Sequence, residues 1–260
     1  MRYILFSIGS LHIYSYGLMI AIGVICAFFI SDKRANKYGL DSDVVFRLGM
    51  MALVCGMLGA KLLYVIINFK SIIETGDIKG AITEGFVVYG GIIGGVVGCY
   101  IYCKVKKYSL SEYFDLIIPT VALAQGFGRI GCFLAGCCYG EETTHAFSVT
   151  FKSSPYAPNG VRLIPTQLIS SAADFINFGI LILVAAKLRK KNKKGLITSI
   201  YLINYSIGRF IIEFFRGDIE RGNVGVLSTS QFIAIFILAG GIALLVYALR
   251  HNKKEETALN

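Results

Sequence analysis

An arginine inside an apolar segment needs a partner or a ligand. The run from Gln125 to Gly140, Q-G-F-G-R-I-G-C-F-L-A-G-C-C-Y-G, closes a long apolar stretch that begins near Tyr113. It sets Arg129 inside or at the rim of a hydrocarbon layer, where an unmet charge costs about 2.5 kcal/mol or more. A guanidinium fork is suited to phosphate, which it grips through two parallel hydrogen bonds. Arg209, Glu213 and Arg216 recur as R-F-I-I-E-F-F-R, spaced four and three apart and so on one helix face. One carboxylate cannot neutralise two arginines, and Arg129 and Lys61 add positive charge within apolar segments. The surplus fits an anionic ligand, most simply a phosphate; the plainer alternative is an intrahelical ladder between Glu213 and one arginine.

Glycines 126, 128, 131, 136 and 140 surround Arg129 and let backbone or a lipid headgroup come close. The segment F-V-V-Y-G-G-I-I-G-G-V-V-G carries G-x-x-x-G spacings, Gly90 to Gly94 and Gly91 to Gly95, that read first as helix packing. Gly90 and Gly91 directly after Tyr89 would also bare the backbone beside a phenol and leave room for a headgroup. Gln167 behind Pro165-Thr166, and Gln231 behind Ser228-Thr229-Ser230, stand near the ends of apolar segments, where capping and interhelical hydrogen bonding compete with substrate contact. Of seven cysteines, Cys26, Cys55, Cys99 and Cys103 sit singly as small hydrophobes, while Cys132, Cys137 and Cys138 cluster. Their C-x4-C-C spacing comes with no second C-x-x-C and no close histidine pair. No metal site is therefore expected, and a Cys137 disulfide or plain packing is.

These residues must be held by a membrane scaffold. With 55% hydrophobic and 16% charged residues and a mean hydropathy of +0.65, the chain has too much apolar surface for a soluble core. The net charge of +10 comes largely from short basic loops between apolar segments, which speaks for membrane topology and against nucleic-acid binding. The N-terminus reaches His12, Tyr14 and Tyr16 too early for a signal-peptide core, so no cleavage is expected. Apolar windows at about 12–31, 45–68, 86–104, 113–136, 164–187, 196–216 and 227–249 predict an all-α polytopic membrane protein with seven transmembrane helices, residues 1–260 forming a single domain. Segments 33–37, 104–107, 187–194 and 250–254 hold fifteen basic residues; Arg2, Lys70, Lys79, Lys152, Arg162 and Arg221 make only six on the other side. That bias puts the N-terminus outside and the C-terminus in the cytoplasm. The loop region near 137–163 is then extracytoplasmic, and its F-S-V-T-F run predicts a strand or hairpin at the outer surface. Arg129, Tyr16, Tyr89 and Arg216 all fall toward that face.

The run G-R-I-G-C-F-L-A-G-C-C-Y-G resembles the signature of the prolipoprotein diacylglyceryl transferase family, Gly-Arg-x-Gly-Asn-Phe-aliphatic-Asn-x-Glu-x-x-Gly. Gly128, Arg129, Gly131, Phe133, Leu134 and Gly140 match. The resemblance extends in order through Y-G-L-M from Tyr16, G-A-K-L-L-Y-V around Lys61, G-G-I-I-G after Tyr89, P-T-Q-L at Pro165, G-R-F-I-I-E-F-F-R at Gly208 and S-x-x-Q-F at Gln231. The chain departs from the family pattern at Cys132, Ala135 and Cys137, where Asn, Asn and Glu are usual. Lys61 stands where Arg is usual, and Tyr89 where a histidine precedes two glycines. It reads as a divergent transferase rather than a paralogue with a shifted substrate.

The resemblance implies transfer of a diacylglyceryl group from phosphatidylglycerol to the lipobox cysteine thiol of a prolipoprotein in the bacterial cytoplasmic (inner) membrane, with glycerol phosphate released and no metal or organic cofactor. On that expectation Arg129 and Arg209 bind the phosphate and Tyr89 handles a proton or orients the substrate in the histidine's place. Glu213 orients Arg209 or Arg216, and Tyr16, Gln167, Gly90, Gly91 and Lys61 line the site. His145 in the outer loop is an alternative base. Two other classes stay open at this level: a transporter or flippase for an anionic lipid or metabolite, which the same arginines would suit, and a membrane thiol oxidoreductase built on Cys132, Cys137 and Cys138.

Overall fold

The computed structural model describes residues 3–8, 11–76, 80, 85–188, 194–218 and 222–258. The expected strand or hairpin in the loop is present in small form, and the other regular elements of the described chain are helices and two further hairpins. Six described helices are long and apolar enough to cross a membrane: α1 (Ser15–Tyr38), α2 (Ser42–Ile67), α4 (Val88–Lys106), α5 (Leu110–Ala135), α6 (Thr166–Leu188) and the Thr229–Arg250 part of α8 (Thr229–Ala258). Between α2 and α4 lies the short α3 (Phe69–Thr75). The seventh expected window, 196–216, is α7 (Leu196–Glu213), which is not among the six because Arg209, Glu213 and several hydroxyl and amide side chains dilute its apolar face. Of the basic residues that set the expected orientation, Arg2, Lys79, Arg189, Lys190, Lys191, Lys193 and Arg221 lie outside the described residues.

The chain forms two compact units, residues 31–113 and residues 1–30 with 114–260, whose boundaries fall within α1 and α5. In the first, α2 and α4 pack through their small residues. The bare face of Gly90 meets Gly59 and Leu63, Gly91 faces Gly56, and a Cβ on Gly59 would come 2.9 Å from the Gly94 Cα. Small residues let two backbones approach where bulk would part them. Asp41 starts α2 by accepting the Asp43 amide at 2.9 Å, as an N-cap carboxylate does.

In the second unit the chain opens with a hairpin, β1 (Ile4–Ile8) against β2 (Leu11–Tyr14), that leads directly into α1. Its core is built by α5, α6 and α7, where Ala122, Leu181, Ala185, Ile197 and Tyr201 are buried together. The loop after α5 folds on its own cluster of Phe151, Ala157 and Leu163, with Phe133 and Tyr139 against it, and is tied by β3 (Val149–Thr150) and β4 (Arg162–Leu163). A third hairpin, β5 (Asn223–Val224) with β6 (Leu227–Ser228), leads into α8.

α7 begins inside the protein without a capping side chain of its own, after Gly195 at φ +81°. Asp115 of α5 supplies the acceptor, taking the Thr198 amide at 2.8 Å and its hydroxyl at 2.7 Å. A carboxylate there satisfies amides that no helical carbonyl can reach and complements the helix dipole. We expect Asp115→Ala to lower stability by about 1–3 kcal/mol, because it strands both donors. Thermal aggregation of the detergent-solubilised protein checks this, and an unchanged midpoint would show that α7 does not depend on the cap.

Candidate functional site

The signature run is shaped by what lies against its glycines. A Cβ on Gly131 would press on Tyr16 and Met19 at 3.0 to 3.3 Å, and one on Gly126 would strike the Phe175 ring at 2.6 Å, so α1 and α6 each settle on α5 at a glycine. Beyond Ala135 the chain turns back at Gly136, φ +83°, where the amides of Gly136 and Cys137 both return to the Cys132 carbonyl at 2.8 and 3.1 Å. This is the usual way a left-handed glycine ends a helix. Residues 139–141 are then knitted between two other strands of chain. The Gly140 amide donates to Ile164 O at 3.1 Å, the Ile164 amide to Glu141 O at 3.0 Å, the Glu141 amide to Phe215 O at 2.9 Å and the Gly217 amide to Tyr139 O at 3.1 Å. The ends of α5 and α7 and the start of α6 are thereby fixed to one another.

That knot positions the arginines. Arg129 of α5 and Arg209 of α7 line one cleft of about 210 Å³, with Asp174, Asn177 and Tyr205 also on its wall. Arg209 is held on two sides, by Glu213 Oε2 at 2.9 Å and by the Ser230 hydroxyl, to which it donates at 2.7 Å. Arg129 differs. Among the described residues no hydrogen bond or ion pair engages its guanidinium, although Asp174 is near enough for its charge to act on it. A guanidinium so placed presents its donors to whatever fills the cleft. Glu213 and Arg216 border a separate recess of about 550 Å³ together with Glu141, Glu142 and Gln231. There Arg216 is gripped through two nitrogens by Asp218 and pairs by its backbone with Gly140.

The remaining expected site residues are placed as follows. Tyr16 stands in the first turn of α1, partly exposed and against Gly131. Gln167 is buried, and its amide donates to the Cys137 carbonyl at 2.8 Å, while Thr166 donates to the Cys138 carbonyl at 2.8 Å. Gln231 is an N-terminal box partner of α8: its side chain takes the Ser228 amide and its own amide gives to the Ser228 hydroxyl, both at 3.1 Å, so its capping role is what the structure shows. His145 is exposed in the loop, its carbonyl taken by Arg162 at 2.7 Å. In the other unit, Tyr89 is half-buried in the first turn of α4, beside Gly90 and Gly91 whose bare faces are filled by α2. Lys61 reaches the Gly85 carbonyl at 3.3 Å and lies 5.1 Å from the ring centres of Tyr64 and Phe86.

Two features were not foreseen. Asp174 and Asn177 of α6, with Asn204 of α7 joined to Asn177 at 2.9 Å, make the cleft wall polar. Their signal was in the sequence, since a carboxylate and carboxamides within an apolar window are as conspicuous as arginines. The second is that the turn after α5 folds Cys137 and Cys138 back on Cys132, so that all three sulfurs lie within 4.8 Å of one another as free thiols. Of the two expected readings for Cys137, a disulfide or plain packing, the disulfide is not formed. Cys138 is held below the ordinary thiol range, first by hydrogen bonds from the Cys132 and Cys137 thiols and then by the charges of Arg216 and Arg129.

The chain that carries this cleft and its glycine-arginine run is similar in sequence to known proteins. The chain matches the prolipoprotein diacylglyceryl transferase family over residues 3–247. It is 48% identical to the phosphatidylglycerol–prolipoprotein diacylglyceryl transferase of Clostridium tetani over 242 residues, 93% of this chain and 96% of that one. It is 47% identical to the transferase numbered 2 of Clostridium perfringens over 256 residues, 98% of each chain, but 32% identical to the transferase numbered 1 of the same organism over 261 residues, again 98% of each. With the match running almost end to end and through every segment that builds the cleft, the chain belongs to the prolipoprotein diacylglyceryl transferase family.

Proposed function

We propose that this protein transfers the diacylglyceryl group of phosphatidylglycerol to the lipobox cysteine thiol of a prolipoprotein signal peptide. The observation that carries the reading is the Arg129 guanidinium, without a hydrogen-bond or ion-pair partner among the described residues and sharing its cleft with Arg209. In the reaction the acceptor thiolate attacks the glyceryl carbon, the carbon–oxygen bond to phosphate breaks, and glycerol phosphate leaves. The phosphodiester carries one negative charge and the departing monoester two, so guanidinium contacts strengthen as the bond breaks. Such differential stabilisation is what lowers a barrier.

Arg129 and Arg209 hold the phosphate, with Glu213 and Ser230 fixing the Arg209 fork. Arg216, anchored by Asp218, contributes field to the same end of the unit. Tyr16 and Gln167 shape the lining, Gln167 by clamping the Cys137 carbonyl. Tyr89, with Gly90, Gly91 and Lys61, is assigned to orienting the acceptor or handling its proton. The glycines serve this by letting α4 seat against α2. The whole chain works as one transferase domain in the bacterial cytoplasmic membrane, α7 completing seven spans, with the N-terminus outside, the C-terminus in the cytoplasm and the 137–163 loop extracytoplasmic. The basic bias of the loops supports that orientation.

The test is to incubate the purified protein in phosphatidylglycerol liposomes with a lipobox peptide and follow the peptide's mass. A gain of one diacylglyceryl unit is expected with the cysteine peptide and none with its serine counterpart or in liposomes of phosphatidylethanolamine alone. Intact peptide together with protein-dependent movement of labelled phosphatidylglycerol between leaflets would replace the transferase with a lipid transporter.

A further inference from the structure

We propose that Cys132, Cys137 and Cys138 form a three-thiolate zinc(II) site whose fourth position takes the acceptor thiol. The proposal rests on the transferase reading for the identity of that thiol, and on the geometry of the turn for the site itself. Four sulfurs about 2.3 Å from a tetrahedral zinc lie about 3.8 Å from one another. The three Sγ atoms already fall within 4.8 Å of one another, so side-chain rotation alone brings them into range.

The turn is built to hold them there. Cys138 is a non-glycine residue with φ +58°, a conformation that L side chains rarely adopt and that keeps its thiol with the other two. Gln167 clamps the Cys137 carbonyl and Thr166 the Cys138 carbonyl, both at 2.8 Å, so both peptides of the ligand-bearing turn are tied to α6. Outer contacts of this kind are what orient ligands in metal centres. Cys132 is buried, whereas Cys137 and Cys138 each keep part of their surface exposed, so a fourth ligand would enter from their side. Three protein ligands and one open position are the pattern of a zinc that acts on a substrate rather than one that only staples a fold. Thiolate ligands select zinc or copper(I) over the harder divalent ions. Three thiolates on zinc leave one net negative charge, and the acceptor thiolate makes two. Arg129 and Arg216, whose charges both reach Cys138, supply the balancing cations.

The step balances. The acceptor thiolate displaces a metal-bound water and takes its position, and the thiol's proton passes through that water to the departing glycerol phosphate. The acceptor sulfur then attacks the glyceryl carbon as the carbon–oxygen bond breaks and glycerol phosphate departs with the bonding pair. The resulting thioether is a poor ligand and is released, and water refills the position. A metal-held thiolate answers the need for a deprotonated nucleophile at neutral pH and leaves Tyr89 an orienting role.

The test uses the full-length protein purified in detergent without chelators. Zinc should be present at about one per chain, and should fall to below about a tenth of that in Cys132→Ser, Cys137→Ser and Cys138→Ser, with Cys26→Ser unchanged. Cobalt(II) loaded in its place should show a thiolate charge-transfer band, and a cysteine lipobox peptide should alter its visible spectrum where the serine peptide does not. Chelation should cut diacylglyceryl transfer by about 100-fold or more, with zinc restoring it. Elution volume and melting midpoint separate loss of metal from loss of fold in the variants, and the cobalt spectrum of the unaltered chain stands independently of them. A wild-type protein without zinc and without a cobalt–thiolate band would overturn the proposal, as would a Cys132–Cys137 or Cys137–Cys138 disulfide in its mass map, or preferential retention of copper(I). Undiminished transfer in the three serine variants would remove the metal and leave the transferase standing. A cobalt spectrum that responds to the cysteine peptide without any diacylglyceryl product would keep the metal–thiol site and overturn the transferase.

Discussion

Arg129→Ala abolishes diacylglyceryl transfer by about 10³-fold or more while leaving the fold as stable as before, or slightly more so. The two halves of that expectation come from the same fact. The Arg129 guanidinium has no hydrogen-bond or ion-pair partner among the described residues, so its removal breaks no contact, and the charge lost beside Asp174 is offset by the charge relieved from an apolar surrounding. Losing one preorganised donor from a site that stabilises developing charge costs about 10² to 10³ in rate, and a fork that offers two donors and a full charge costs more. Arg129→Lys separates charge from geometry: it keeps the cation but loses the fork, and about a 10- to 100-fold loss is expected. Transfer assayed in phosphatidylglycerol liposomes beside melting of the same preparations reads both quantities. A variant that melts well below the parent would make Arg129 a structural residue and remove the central support for a phosphate at this cleft.

Much of the scaffold could be read from the chain because the membrane imposes a coarse rule. All seven expected windows appear as helices, six of them long and apolar enough to cross a membrane, with boundaries shifted by a few residues; α1, for example, continues to Tyr38 beyond the apolar window that ends near residue 31. At α7 the rule weakens, because the residues that give the helix its role, Arg209 and Glu213, lower the hydropathy by which spans are recognised. The grouping of Arg209 with Glu213 followed from helix spacing, and their 2.9 Å ion pair realises it. That Arg129 joins Arg209 in one cleft while Arg216 faces another recess did not follow from spacing, since it depends on how residues 139–141 are knitted to Ile164 and Phe215.

The cysteines were harder still. Spacing rules for metal sites assume a regular loop between ligands, whereas here the end of α5 and two left-handed residues, Gly136 and Cys138, bend the chain so that positions five and six beyond Cys132 return to it. Asp174 is legible on the same ground as the arginines, as a charged residue within an apolar window. The packing of Gly90 and Gly91 against α2 was the simpler reading of G-x-x-x-G, and the backbone contacts with Gly59 and Gly56 are what occupies their faces.

The Arg209–Glu213 pair behaves differently from Arg129, and the contrast is the second large effect. Glu213 has 1% of its side chain exposed, and its carboxylate lies 2.9 Å from the Arg209 guanidinium. Arg209→Ala therefore takes away a phosphate ligand and also leaves a buried carboxylate without its nearest cation, at a cost of roughly 3–5 kcal/mol. Both activity and melting should fall. Glu213→Gln keeps the shape and a hydrogen-bond acceptor while removing the charge, so its fold is expected to hold far better than that of Arg209→Ala. With the opposing carboxylate gone, Arg209 binds the anionic headgroup more tightly but is less firmly aimed, which lowers KM and kcat together. The double variant Arg209→Ala with Glu213→Gln carries no buried charge at the position and should recover most of the lost stability while recovering none of the activity. That split distinguishes a ligand-binding arginine from a purely structural ion pair, for which activity would return together with the fold. Thermal melting and single-turnover transfer on the four proteins, parent included, complete the cycle. Recovery of transfer in the double variant would show that Arg209 serves only to neutralise Glu213.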